Sequence, residues 1–157
     1  MTVRVDVGYD VTATVSGRTG VARYARELVA AAAQHDVSAH LLAVGRGPFE
    51  PPVGTRRIAV PLRFVQSASR VLGVPRAEWL LPGIELVHSL DLHPLPTGLP
   101  TVVTVHDLAA LERPDLHSPR QVSQQQRQLR SLASASAVCA VSEATRAALC
   151  RHGLAPD

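Results

Sequence analysis

The sequence predicts an α/β fold, a parallel sheet of about six strands with helices on both faces, and three observations carry that reading. Runs rich in valine and threonine alternate with helix-period segments, the pattern of successive β-α-β units. Thr101-Val102-Val103-Thr104-Val105-His106-Asp107 is β-branched almost throughout and ends in a His-Asp pair, as a buried parallel strand does when it carries polar groups to its carboxyl end. A second crossing, from Val3 to Gly20, ends in Ser16-Gly17-Arg18-Thr19-Gly20 and opens a helix. Ligands of open α/β sheets bind beyond the carboxyl ends of the strands, so the two loops are expected to form one site.

Each element follows from its pattern. Val3, Val5 and Val7 alternate with Arg4 and Asp6 in a first strand that Gly8 is expected to break. Val21, Tyr24, Ala25, Leu28, Val29 and Ala32 fall on one face of an amphipathic helix. Val37 to Val44 and Arg56 to Val60 read as the second and third strands, separated by a loop rich in glycine and proline. Gln66 to Leu72 and Arg76 to Leu81 read as short helices, Glu85 to Ser89 as the fourth strand and Thr101 to His106 as the fifth. Ser118-Pro119 has the form of an N-cap followed by proline at the first helical position, opening a glutamine-rich helix to about Ser134. Ala137 to Val141 gives the sixth strand, and Ser142 caps a last helix that runs to Arg151 before Gly153 stops it. The closing Gly153-Leu154-Ala155-Pro156-Asp157 resembles a turn leading into a further strand, so the domain is expected to be cut short or to close with six strands.

Composition narrows the chemistry. The chain has 157 residues, 46% of them hydrophobic, enough for one packed core. No apolar run is long enough to span a membrane and no secretory leader opens the chain, so the expected location is cytoplasmic. Cys139 and Cys150 lack C-x-x-C spacing and are expected to be reduced thiols in the core. The net charge is +3, and all sixteen basic residues are arginine. Without lysine neither a Walker A phosphate loop nor Schiff-base catalysis can operate. Arginines are scattered and aromatics make up 3%, which argues against a nucleic-acid platform but leaves bidentate phosphate recognition open.

Gly17-Arg18-Thr19-Gly20 lets a backbone approach an anion at a helix mouth, where free N–H groups and the helix dipole favour phosphate. It is not the G-x-G-x-x-G fingerprint, and two glycines that merely shape a turn are an equal reading. His106 is either tied to a backbone carbonyl, orienting a loop, or free to donate a hydrogen bond to a ligand hydroxyl. Asp107 is expected to cap the loop that follows.

Three motifs in order, Thr19-Gly20-Val21-Ala22-Arg23-Tyr24 followed by Leu28, Val102-Val103-Thr104-Val105-His106-Asp107-Leu108 followed by Pro114, and Val141-Ser142-Glu143-Ala144-Thr145, resemble the amino-terminal domain of GT-B-fold retaining glycosyltransferases of the family 4 type. The resemblance implies that residues 1 to 157 form the Rossmann-like acceptor-side half of a GT-B fold, with the carboxyl-terminal donor-binding domain absent from this chain. It implies sugar transfer from a nucleotide-sugar to an unknown acceptor without a metal or other cofactor, in the cleft against a donor domain supplied in cis or in trans. It places His106 at the donor sugar as the catalytic contact and Gly17, Arg18, Thr19 and Gly20 at the diphosphate. Arg23, Tyr24, Asp107 and Ser142 become acceptor or sugar contacts, and for Ser142 and Thr145 helix capping is the stronger expectation. Peripheral attachment to a membrane is compatible with this reading, and nucleic acid is not an expected partner.

The family's E-x7-E element is missing; Glu78 and Glu85 stand seven apart in the wrong context. Two other classes stay open. A stand-alone binding module would keep the sheet but lack an opposing wall. A metal-dependent hydrolase would draw on His88-Ser89-Leu90-Asp91-Leu92-His93 with His106-Asp107, though no established zinc motif occurs there.

Overall fold

The computed structural model describes residues 4–154, apart from the Arg70 side chain. Among them, six parallel strands form one sheet: β1 (Val5–Asp10), β2 (Val37–Val44), β3 (Arg56–Ile58), β4 (Leu86–Ser89), β5 (Thr101–Val105) and β6 (Ala137–Ala140), in the spatial order β3-β2-β1-β4-β5-β6. Each strand returns to the sheet through a helical crossover or loop, which parallel pairing requires. The helices are α1 (Ala13–Ser16), α2 (Gly20–Ala32), α3 (Leu62–Leu72), α4 (Ala77–Leu80), α5 (Ala109–Glu112), α6 (Pro119–Ser131) and α7 (Glu143–Arg151), with 3-10 turns at Pro114–Leu116 and Leu132–Ser134. Among the described residues no helix is long and apolar enough to cross a membrane.

Both faces of the sheet are covered. Neighbouring strand residues point to opposite faces. Leu41 and Ala43 of β2 join Val7, Tyr9 and the α2 residues Ala25 and Ala32 in one buried cluster, while Leu42 between them joins Val87, Ile84 and the α4 residue Ala77 in another. A third cluster seals β5 beneath the last helices, with Val103 and Val105 against Leu132, Ala148 and Leu149.

Several expectations need correction. Gly8 does not end the first strand: β1 runs through it to Asp10. Its role is spatial, since a Cβ there would stand 2.8 Å from Ile84 Cδ1 and 3.2 Å from Leu81 Cδ1, so the strand needs a bare backbone where these side chains cross it. Val3, assigned to this strand, and Ala155 to Asp157 of the closing turn lie outside the described residues. Helix α3 starts at Leu62 rather than Gln66, immediately after Pro61. The third, fifth and sixth strands stop at Ile58, Val105 and Ala140, and the glutamine-rich helix gives way to its 3-10 turn after Ser131.

Cys139 and Cys150 are free thiols as expected but exposed, not core residues. Cys139 lies on β6 at the sheet margin, where one side has no neighbouring strand, and Cys150 is on the outer side of α7, whose buried positions are Thr145, Ala148 and Leu149. The capping expectations hold. Ser118 Oγ accepts from the Gln121 N–H at 3.3 Å, and the Gln121 side chain accepts from the Ser118 N–H at 2.9 Å in a complete capping box.

Candidate functional site

The strand order reverses direction between β1 and β4, since β1 leads on to β2 on one side and β4 to β5 on the other. The loops leaving these two strands therefore diverge and leave a crevice beyond their carboxyl ends, where ligands of such sheets bind. A cavity of about 700 Å³ opens there.

One wall of the crevice comes from β1. The chain leaves Asp10 through a tight turn in which the Asp10 carboxylate accepts from the Thr12 N–H at 2.9 Å, and the Thr12 hydroxyl accepts from Val44 N–H at 3.0 Å, tying the turn to β2. Four residues of helix follow, with Thr14 and Val15 fully buried, and the chain then reaches Gly17-Arg18-Thr19-Gly20. Gly47 backs this segment: a Cβ there would lie 1.5 Å from the Val15 carbonyl oxygen, so the loop after β2 can press on α1 only with glycine at that position.

Thr19 caps α2, its hydroxyl accepting from the Ala22 N–H at 3.2 Å. The N–H groups of Gly20 and Val21 precede the first intrahelical bond, Arg23 N–H to Thr19 O, and so have no acceptor within the helix. Nothing lies within 4 Å of where a Gly20 Cβ would stand, so the space over the helix mouth is open. Gly17 is extended, a conformation any residue adopts. The Arg18 guanidinium stacks 5.6 Å from the centroid of Phe49, which turns it toward the β2–β3 loop. Arg23 is exposed.

The opposite wall comes from β4 and β5. His106 follows β5 and is half-buried, and its Nε2 donates to the Leu90 carbonyl at 3.0 Å. In the neutral ring that bond fixes the proton on Nε2 and leaves Nδ1 an acceptor. The expectation of a donor to a ligand hydroxyl thus changes sense: a hydroxyl would donate to Nδ1. Tyr24 of α2 meets the His106 ring edge-on, 5.0 Å between centroids at 89°, which joins the helix behind the glycine loop to the end of β5. Asp107 accepts from the Ala109 N–H at 2.9 Å and so closes the turn that follows β5, as expected. Ser142 caps α7, accepting from the Thr145 N–H at 3.1 Å, while the Thr145 hydroxyl donates to the His106 carbonyl at 2.9 Å. Both sides of His106 are therefore held by the fold.

Beside them lies a polar group of which the sequence singled out Asp91 and His93 only for the hydrolase alternative and Asp10 not at all. Half-buried Asp10 and exposed Asp91 line the cavity together with His93. The Gln128 side-chain amide of α6 lies 2.6 Å from His93 Nε2 and 3.1 Å from Nδ1, and Nδ1 stands 3.7 Å from the Asp91 carboxylate. Burial pushes the Asp10 carboxyl up, and the Asp91 charge adds to this against the hydrogen bonds from Thr12. Burial also acts upward on Asp91, but the hydrogen bonds from His93 and the Leu92 N–H, with the charges of His93 and His106, hold it below the ordinary value. Two carboxyls driven apart in this way can divide the roles of hydrogen-bond acceptor and proton carrier toward a hydroxyl ligand. Asp10 went unread because the strand was expected to stop at Gly8; the only sequence signal was an acid two residues beyond that glycine.

The histidines of the hydrolase alternative have separate partners. His88 Nε2 pairs with the Thr104 hydroxyl at 2.9 Å, His93 with Gln128 and His106 with Leu90. Among the described residues no three His, Cys, Asp or Glu side chains converge as a metal site would require. Glu78 accepts from the Thr97 hydroxyl at 2.7 Å and the Gly98 N–H at 3.0 Å, tying α4 to the β4–β5 connection, and Glu85 accepts from the Asp6 N–H of β1 at 3.2 Å; neither lines the crevice.

A doubly wound α/β domain with an open helix mouth beside its switch point and a tethered imidazole at the end of β5 is the class of protein defined by this fold and site. The chain belongs to Glycosyltransferase Family 4, whose family model matches residues 18–157, and it is a domain of the glycosyltransferase type. Neither the curated proteins nor the solved structures compared with it give a match.

Proposed function

We propose that this domain is the acceptor-side half of a retaining GT-B glycosyltransferase, in which a sugar passes from a nucleotide-sugar to an acceptor hydroxyl in the crevice between β1 and β4. The observation that carries the reading is the open α2 mouth at Gly20 within one helical turn of Tyr24, which touches His106. The free N–H groups of Gly20 and Val21 and the α2 dipole stabilise the donor's diphosphate as negative charge gathers on the leaving group. His106 Nδ1 accepts from a hydroxyl of the donor sugar, and the ring's fixed orientation holds that sugar for transfer. A donor-binding domain at the carboxyl-terminal side, in cis or in trans, supplies the opposing wall. The nucleotide-sugar is a substrate, and the reading calls for no metal or other cofactor.

Two further parts of the proposal rest on the surface. The free thiols of Cys139 and Cys150 fit a reducing, cytoplasmic setting. Phe64, Val71 and Leu72 stand outward on α3, between Arg63 and Arg76, which supports peripheral contact with an anionic membrane.

The test is nucleotide-sugar turnover by the protein bearing both domains, with the anomeric configuration of the product read by NMR. Transfer with retention is the expected result. Absence of both turnover and nucleotide-sugar binding would favour the stand-alone binding module instead.

A further inference from the structure

The cavity at the switch point is lined by Thr19 and Val21 at the α2 mouth but not by Gly20, Tyr24 or His106, and most of it lies away from them. It continues as a trench between α3 and the end of α6, floored by the connection from β4 to β5. Leu62 and Val65 of α3 face Leu95 and Leu99 of that connection, and Val44 and Val103 of the sheet complete an apolar lining. The polar groups Asp10, Asp91 and His93 belong to the strand ends, where the sugar would arrive. Deeper along α3 lies Ser69, whose buried Oγ finds no hydrogen-bond partner among the described residues. A buried hydroxyl left unpaired is uncommon and marks a place where a ligand atom can complete it.

We propose that this trench seats the apolar body of an amphiphilic acceptor whose hydroxyl end lies at Asp10, Asp91 and His93, an inference that rests on the glycosyltransferase reading and names its acceptor class. Its volume of about 700 Å³ falls in the range of small-molecule sites and is of the size for one hydrocarbon-bearing molecule. A sugar acceptor lying along the same path would meet Gln66, Thr97, Arg127 and Ser131, but its remaining hydroxyls would be buried without partners against the leucine and valine lining, which is costly. An amphiphile meets the opposite balance: its chain leaves water for an apolar lining, and its hydroxyl remains among carboxylates and imidazole. Ser69 would pair with a polar linkage, such as an ester or ether oxygen, at a fixed depth along that chain.

The experiment uses n-alkyl β-glucosides with chains from hexyl to nonyl, all below their micelle concentrations, titrated calorimetrically into the whole chain without any donor. Affinity is expected to rise about fourfold for each added methylene, the increment of full burial. Ser69→Phe, which fills the trench, should remove that dependence while keeping the thermal transition. If this variant does not fold, Gln66→Phe on the same wall makes the same test. Leu116→Ser, in the exposed 3-10 turn outside the trench, should leave the series unchanged. The inference is overturned if affinity does not vary with chain length, or if the trench variants leave the series as steep as Leu116→Ser does. Because binding is read without transfer, a failure here stays distinct from a failure of the glycosyltransferase reading. A two-domain enzyme that transfers equally well to acceptors with and without an apolar chain would refute the acceptor class alone.

Discussion

The two walls of the crevice are built in opposite ways. On the β1 side the helix mouth is unengaged: nothing lies near Gly20, two N–H groups lack intrahelical acceptors, and Arg18 is drawn off onto Phe49. On the β4–β5 side every functional group is already held, His106 by Leu90, Thr145 and Tyr24, and His93 by Gln128. One wall is an open helix mouth and the other a set of fixed contacts. In the proposed function, reorganisation on binding falls to the first wall and orientation to the second.

The contrast can be broken most severely from behind. Gly47→Ala would drive a Cβ into the Val15 carbonyl oxygen, so α1 and the glycine loop must shift with it. A loss of about 3 kcal/mol or more in folding stability is expected, read from chemical denaturation, because backbone and not a flexible side chain is in the way. An unchanged denaturation midpoint would show that the loop after β2 does not brace the first wall.

Gly20→Asp sharpens the comparison by leaving the fold alone. Its Cβ meets open space and a carboxylate suits a helix N-terminus, so the thermal transition should hold or rise slightly. The same charge stands where the diphosphate would bind, and like-charge repulsion of several kcal/mol should cut donor turnover in the two-domain enzyme by about 100-fold or more. Normal turnover would remove the diphosphate from this helix mouth.

His106→Ala addresses the second wall. Loss of one hydrogen bond to a reacting ligand corresponds to about 1 to 3 kcal/mol in kcat/KM. Because the Leu90 carbonyl also loses its donor, a modest fall in melting temperature should accompany it, in contrast to Gly20→Asp. A fall in stability with kcat/KM intact would leave His106 a purely structural residue.

The smallest effect is on Asp10. Its pKa is raised in the fold, so the native state holds the proton more tightly than the unfolded chain, and stability falls as pH rises from the ordinary carboxylate value through the raised one. Asp10→Asn keeps an oxygen for the Thr12 N–H and removes the buried charge. At neutral pH it should raise the melting temperature by about 2 to 4 °C, and by nothing at about pH 3, where the carboxyl is protonated anyway. An equal gain at both pH values would mean that packing, not charge, is responsible.

How far the sequence revealed each wall follows from the kind of signal each leaves. Strand and helix periodicity is a property of many side chains at once, so all six strands and the long helices α2, α6 and α7 were legible from it. The four-residue helices α1 and α5 complete barely one turn and were missed for want of a period, while α4, equally short, was read between its flanking loops. The helix mouth was legible because glycines and a threonine cap write local backbone geometry directly into sequence. The cage around His93 was not, because Gln128 lies 35 residues away and meets it only through the crossover between β5 and β6. Gly8 misled for a related reason: a glycine that ends a strand and one that clears space for Ile84 are identical until the third dimension is known.

The two outward thiols have a practical consequence. Cys139 sits on the marginal strand and Cys150 on the outer side of the last helix, and neither lines the crevice. Native cysteines thus offer ready attachment points for a spin label or a fluorophore. With a reporter there and a second on the proposed donor domain, the closure that the proposal predicts around a nucleotide-sugar can be timed by distance spectroscopy without adding any cysteine to this domain.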